Sequence, residues 1–224
     1  MGDLRRLIVF DLDGTLIDSR ADLADAANAL IAERGGERLS HDEIGRMVGD
    51  GAPVLVKRAL TAAGLEVDDA SVPRFLEMYD ERLLETTTPY PGIIDALDAL
   101  TTLGPIAVLT NKPLAPTRRL LDELGLARFV AATLGGDGAF PRKPDPASLR
   151  HLTQRFDAHP RQTVMIGDSW IDYSTARSAG TLVCLARYGF GFATFPAGEL
   201  RGDEGVVDRS SEYGPVIRGL LGIL

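Results

Sequence analysis

The run Leu7-Ile8-Val9-Phe10-Asp11-Leu12-Asp13-Gly14-Thr15 decides how this chain reads. Four consecutive apolar residues stop abruptly at two acids and a glycine. An apolar stretch this short, closed by glycine, reads as a strand covered on both faces, the kind found in parallel sheets. An amphipathic helix would need a longer segment with a polar stripe. In open parallel sheets ligands bind beyond the carboxyl ends of the strands, so Asp11 and Asp13 stand where chemistry is expected.

Outward from that strand the chain changes character twice. Ser19 is placed to cap a helix whose apolar residues Leu23, Ala26, Ala27, Leu30 and Ile31 recur at helical spacing, and Gly35-Gly36 ends it. Ser40 and Glu43 have capping-box spacing. A third helix is expected over 52–63, stopped by Gly64. A fourth starts near Ser71-Val72-Pro73 and carries Phe75, Leu76, Tyr79 and Leu83. No segment between residues 18 and 88 reads as a strand. Pro89-Tyr90-Pro91-Gly92 then breaks the pattern. Beyond it, helices at 93–103, 114–124, 146–156 and 171–179 alternate with strands at 106–109, 130–134, 163–166 and 182–185. A weak strand at 205–208 precedes a C-terminal helix. This alternation predicts an α/β fold with a doubly wound parallel-sheet, Rossmann-like core. Residues 1–17 and 89–224 form the core, and 18–88 an inserted helical unit.

Composition narrows the function classes. The chain has 224 residues, 45% of them hydrophobic and 25% charged, enough to bury a core without staples. A formal charge of −8 argues against nucleic acid or an anionic membrane as the main partner. Cys184 is the single cysteine and can form no disulfide within the chain, which fits a reducing compartment. No apolar run approaches the ~18 residues of a membrane span. The N-terminal stretch lacks the apolar core of a signal peptide. A cytoplasmic protein is expected, monomer or homodimer. Residues 18–88 hold fifteen acids against eight bases, while 34–58 hold five bases against four acids. The first half of the insertion is therefore the side expected to face an anionic substrate.

The other strand ends supply partners for Asp11 and Asp13. Thr110, Asn111 and Lys112 follow the strand at 106–109. A long loop after the next strand carries Arg142-Lys143-Pro144-Asp145-Pro146. Asp168 follows the strand at 163–166, with Asp172 four residues on. Carboxylates from two strands, with a lysine and a hydroxyl beside them, suit a hard cation together with a phosphoryl group. Mg²⁺ takes oxygen ligands and keeps several waters, so two carboxylates and a main-chain carbonyl suffice. The cation would offset repulsion between the acids and an incoming phosphate.

Four stretches in order, Asp11-Leu12-Asp13-Gly14-Thr15, Leu109-Thr110-Asn111-Lys112, Arg142-Lys143-Pro144 and Gly167-Asp168-Ser169-Trp170-Ile171-Asp172, resemble the four motifs of the haloacid dehalogenase superfamily. The helical insertion sits where that superfamily carries its α-helical cap domain. The second aspartate is similar to the phosphatases rather than to the dehalogenase branch. Val48-Gly49-Asp50-Gly51-Ala52, Val56-Lys57-Arg58-Ala59-Leu60 and the late Arg187-Tyr188-Gly189-Phe190-Gly191 resemble the phosphoglycolate phosphatases within it. Two departures are Trp170, where smaller or polar residues are usual, and Asp50, where asparagine is common.

The resemblance implies a Mg²⁺-dependent phosphomonoester hydrolase that forms an aspartyl-phosphate, with a small phosphorylated substrate such as 2-phosphoglycolate. Asp11 would be the nucleophile and Asp13 the general acid and base. The metal ligands would be Asp11, Asp168 and, through its main-chain carbonyl, Asp13. Thr110, the main-chain amide of Asn111 and Lys143 would bind the phosphoryl oxygens. Asp172 would orient Lys143 or a metal-bound water. Gly49, Asp50 and Gly51 would meet the leaving group, with Arg58 contacting a substrate carboxylate.

Weaker candidates have simpler readings. His41, His151 and His159 lack ligand spacing, Cys184 reads as a small buried apolar residue, and the loop 188–195 reads as packing. Other small phosphate esters, pyrophosphate, or a sugar-phosphate mutase remain open as alternatives. A receiver-type signalling domain would need no long helical insertion.

Overall fold

The structure, a computed structural model, describes residues 5–223; positions 1–4 and 224, which the sequence reading placed in the core, lie outside them. Six strands form one parallel sheet: β1 (Leu7–Phe10), β4 (Ile106–Leu109), β5 (Val130–Leu134), β6 (Thr163–Gly167), β7 (Leu182–Ala186) and β8 (Gly205–Val207). Their spatial order is β5-β4-β1-β6-β7-β8. β1 pairs in parallel with both neighbours, Val9 opposite Ala107 on one side and Met165 on the other. The strand order reverses beside β1, which places the ligand-binding crevice of such a sheet at Asp11.

The alternation of side chains along each strand builds two cores. Ile8, Phe10, Val108, Ile166 and Cys184 face one side, and Leu7, Val9, Leu109, Met165 and Val183 the other. The first face is covered by α5 (Ile93–Thr101), α6 (Leu114–Glu123) and α9 (Tyr213–Leu221), the second by α7 (Ala147–Arg155) and α8 (Trp170–Ala179). Both faces being covered explains why the strands are continuous apolar runs.

Between residues 19 and 87 every regular element is helical: α1 (Arg20–Glu33), α2 (His41–Gly45), α3 (Ala52–Ala62) and α4 (Ser71–Arg82). The expected capping box at α2 is present, Ser40 and Glu43 bonding reciprocally. The insertion is entered and left through an antiparallel ribbon that the sequence did not reveal, β2 (Ile17–Asp18) against β3 (Thr88–Pro89). Two-residue strands leave no periodic signature. Just beyond the ribbon the buried Asp22 carboxylate accepts from the amides and hydroxyls of Thr86 and Thr87, joining the two crossing chains. The apolar cluster on the first sheet face continues without a break through Leu16 and Ile17 into Leu30, Ile44, Leu60 and Phe75.

Ser19 departs from expectation. It occupies the N-cap position of α1 but makes no capping bond. Its hydroxyl donates instead to Asp13 at 2.5 Å. Most other boundaries shift by one or two residues, as helix ends commonly do.

Candidate active site

Three strand ends, the first turn of α8 and one loop converge beyond the C-terminal edge of the sheet. Asp11 leaves β1, its main-chain amide bonded to Ile166 at 2.8 Å. Thr110 leaves β4 and is buried. Asp168 leaves β6, and Asp172 lies in the first turn of α8, fixed by a capping box with Ser169 (2.6 Å from its hydroxyl). Carboxylate oxygens of Asp11, Asp168 and Asp172 lie within 4.8 Å of one another. The Lys143 ammonium sits among them, 2.8 Å from Asp11 Oδ1 and 2.6 Å from Asp172 Oδ1, with its side chain only 2% exposed.

The charges do not balance: three buried acids face one lysine. Burial, then the Asp172 charge, pushes Asp11 up from 3.8 to about 7 despite Lys143. Burial, Asp172 and Asp11 raise Asp168 well above the usual carboxylate range, although Gly191 N–H donates to it at 2.7 Å. For Lys143, burial works to lower the ammonium's pKa, but Asp11 and Asp172 outweigh it and hold the group cationic. Clustered oxygen donors with surplus negative charge suit a hard divalent cation, and the donor set therefore fits one.

Two glycines let these groups approach. Gly14 has φ +84°, and a Cβ there would lie 2.0 Å from Asp168 Oδ2. A Cβ on Gly167 would lie 2.2 Å from Asp172 Cγ. Side chains at either position would occupy the space of the carboxylates.

Asp13, two residues from Asp11, has different partners. Lys112 Nζ lies 3.0 Å from both of its oxygens, and Ser19 donates to Oδ1. Its carboxylate is not part of the three-acid cluster. Neither Lys112 nor Ser19 is marked by the sequence as a partner of Asp13. Lys112 does follow Thr110 and Asn111 directly, but Ser19 carried the stronger signal of a helix cap.

The Asn111 side chain ties three segments together. Its Nδ2 donates to the carbonyls of Gly49 and Lys143 at 2.9 Å each, and its Oδ1 accepts from Lys143 N–H at 2.8 Å. The Gly49–Gly51 loop of the insertion is thereby docked on the core. Above the acids this leaves a cavity with about 630 Å³ of empty space, its open mouth included. Asp11, Asp13, Thr110, Asn111 and Asp168 line it, with Gly49 and Gly51.

Several expectations need correction. The insertion meets the cavity with apolar side chains, Leu55, Phe75 and Leu76 among them, rather than with the bases of its first half. Arg58 does not line the cavity; its guanidinium is engaged by Asp50 at 2.6 Å and the Met47 carbonyl at 3.0 Å. Asp50 is likewise outside the lining, because that ion pair draws it away. The loop at 188–195 does more than pack, since Phe190 and Gly191 line the cavity. Trp170 stacks on Tyr173 and meets Phe195 edge-on, without reaching the cavity. Cys184, by contrast, is the small buried residue expected, in β7, with its thiol pushed up to about 12 by burial.

Comparison with known proteins agrees with this geometry. Residues 5–180 match the family model for haloacid dehalogenase-like hydrolases. A phosphoglycolate phosphatase of Rhodospirillum rubrum is 42% identical over 194 residues, covering 83% of this chain and 80% of that protein. One from Agrobacterium fabrum is 37% identical over 219 residues, covering 96% and 93%. A crystal structure described as a predicted phosphoglycolate phosphatase from Haemophilus somnus superposes with a TM-score of 0.84 at 29% identity, covering 95% of this chain and 97% of that one. With the family model spanning most of the chain, and Asp11, Asp168 and Asp172 gathered at one crevice, the protein belongs to the haloacid dehalogenase-like hydrolases.

Proposed function

We propose that the protein is a Mg²⁺-dependent phosphatase that hydrolyses 2-phosphoglycolate through an aspartyl-phosphate on Asp11. The observation that carries this reading is the contrast between two acids two residues apart. Asp11 belongs to a buried cluster of three carboxylates with Lys143, while Asp13 is held separately by Lys112 and Ser19. Neighbouring carboxylates in distinct surroundings are the signature of divided acid–base roles.

An Asp11 carboxylate oxygen attacks phosphorus, and the bond from phosphorus to the substrate oxygen breaks. Asp13 gives its proton to that oxygen, releasing glycolate. A water then attacks the phosphoryl group, with Asp13 taking its proton, and inorganic phosphate departs as Asp11 is restored. Lys143, the Thr110 hydroxyl and the Asn111 main-chain amide bind the phosphoryl oxygens and stabilise the charge spread over them. Asp172 keeps Lys143 in place. Mg²⁺, held by Asp11, Asp168 and the Asp13 carbonyl, would neutralise the surplus acid charge and polarise the phosphoryl group. The helical insertion acts as a cap whose Gly49–Gly51 loop, docked through Asn111, keeps bulk water from the phosphoryl group.

The lining favours this reading over a sugar-phosphate mutase. Leu55, Phe75, Leu76 and Val48 face the cavity above the acids. Sugar hydroxyls against that wall would lose their hydrogen bonds to water without replacement. The relatives named as phosphoglycolate phosphatases support the same choice.

The test is phosphate release from 2-phosphoglycolate beside glucose 1-phosphate, a nucleoside monophosphate and pyrophosphate. Each is run with Mg²⁺, with EDTA, and with Asp11→Asn. Metal-dependent preference for phosphoglycolate, abolished by the substitution, is expected. Faster turnover of the sugar phosphate would overturn the substrate assignment.

A further inference from the structure

One buried cation remains outside the steps above. Lys112 is, among the described residues, the only basic residue that lines the cavity, and its side chain is 4% exposed. Lys143, the other buried ammonium, lies beneath the cavity among the acids. Two of the three Lys112 N–H groups face Asp13, at 3.0 Å from each oxygen. An ammonium has three donors, so a third has no carboxylate partner.

Tyr79, on α4 of the insertion, stands next to it. Lys112 Nζ lies 4.5 Å from the centre of the Tyr79 ring. The Tyr79 hydroxyl is buried beside the Lys112 ammonium, which it meets through its oxygen, and its own proton has no acceptor among the described residues. Such a buried hydroxyl is costly unless a ligand completes it. A buried ammonium from the core and a hydroxyl from the insertion with a proton to donate thus line the same cavity. Around them the wall is apolar, with Phe75, Leu76 and Leu55.

We propose that Lys112, assisted by the Tyr79 hydroxyl, forms a subsite for a carboxylate on the leaving group and so determines selectivity for small anionic phosphate esters. This deepens the phosphatase reading and rests on it. A carboxylate one carbon from the ester oxygen is acceptor-only and accepts from both groups, whereas a methyl leaves the hydroxyl unsatisfied. A second cation at the cavity also offsets the charge of the carboxylate, which the acids on its floor would otherwise repel. The role expected of Arg58 thereby passes to a residue that lines the cavity. Because the subsite draws on both core and insertion, an anionic substrate also holds the two together.

The experiment compares kcat/KM for 2-phosphoglycolate and for ethyl phosphate, in which a methyl replaces the carboxylate. Wild type, Lys112→Met and Tyr79→Phe are measured with Mg²⁺. Intrinsic leaving-group differences cancel when the selectivity ratios of variant and wild type are compared. Lys112→Met should lower the ratio on the order of 10- to 100-fold, and Tyr79→Phe about 3- to 10-fold. Equal losses on both substrates would show that Lys112 serves only Asp13, and would overturn the subsite. A second measurement needs no variant: glycolate should inhibit wild-type hydrolysis of ethyl phosphate competitively, and ethylene glycol should not. Equal inhibition by the two would also overturn it. Hydrolysis of both esters at equal efficiency by wild type refutes the subsite alone, while release from neither refutes the phosphatase reading and the subsite with it.

Discussion

Lys143→Met removes the one cation from the three-acid cluster while keeping the length of the side chain. Lys143 contacts Asp11 at 2.8 Å and Asp172 at 2.6 Å. Leaving a buried charge without its partner costs ~3–5 kcal/mol, a large part of a typical ~5–15 kcal/mol stability. The cost should depend on pH in a definite direction. Asp11 is raised from 3.8 to about 7 in the folded metal-free protein. A carboxylate so raised binds protons more readily folded than unfolded. Its contribution to stability is complete below about pH 4 and is lost as the pH rises through about 7, on the order of 4 kcal/mol in all. Asp168 shifts in the same direction. Without Lys143 both rise further, so at pH 5 protons neutralise the cluster and the variant loses ~1–2 kcal/mol. At pH 8 the full penalty appears. Urea unfolding of metal-free wild type and variant at the two pH values measures the difference. A penalty equal at both, or larger at pH 5, would refute this charge balance.

Three further outcomes follow from the geometry. Ser19→Ala removes a hydroxyl that bonds Asp13 at 2.5 Å but caps no helix; kcat should fall about 3- to 10-fold, while urea unfolding shows a change below ~0.5 kcal/mol. Gly14→Ala puts a Cβ 2.0 Å from Asp168 Oδ2 at a φ of +84°. It should destabilise the fold by ~1–3 kcal/mol and weaken Mg²⁺ binding in calorimetry; metal affinity equal to wild type would contradict the packing described. Mg²⁺ should raise the melting temperature more at pH 8 than at pH 5, because the carboxylates it meets are less protonated there; the reverse order would count against the three-acid site.

Most of the fold was legible because its strands are buried on both faces and therefore read as continuous apolar runs. Leu7–Phe10 and Ile106–Leu109 have the limits their composition suggests, as does the partly exposed edge strand Val130–Leu134. The β2–β3 ribbon was not legible, since a strand of two residues has no period to detect. Among the candidate site residues, those at strand ends were legible from topology alone, because such a sheet binds ligands there. Ser19 was misread because a serine before a helix ordinarily caps it, and only the tertiary placement of Asp13 gives its hydroxyl another acceptor. Arg58 was misread for a related reason. Charge at helical spacing says a side chain is exposed, but not that Asp50, eight residues back, already holds it. Phe75 and Tyr79 read as core residues, and they are buried. That they also wall the cavity depends on how the insertion lies over the sheet, which no local pattern records.

The most direct test of the central claim is chemical trapping of the intermediate. Enzyme turning over 2-phosphoglycolate with Mg²⁺ is quenched in acid, reduced with borohydride and digested for mass spectrometry. Reduction of an aspartyl-phosphate converts that aspartate to homoserine, and the conversion is expected at position 11 alone, absent without substrate. Homoserine at another aspartate, or steady turnover of phosphoglycolate with Asp11→Asn, would contradict it.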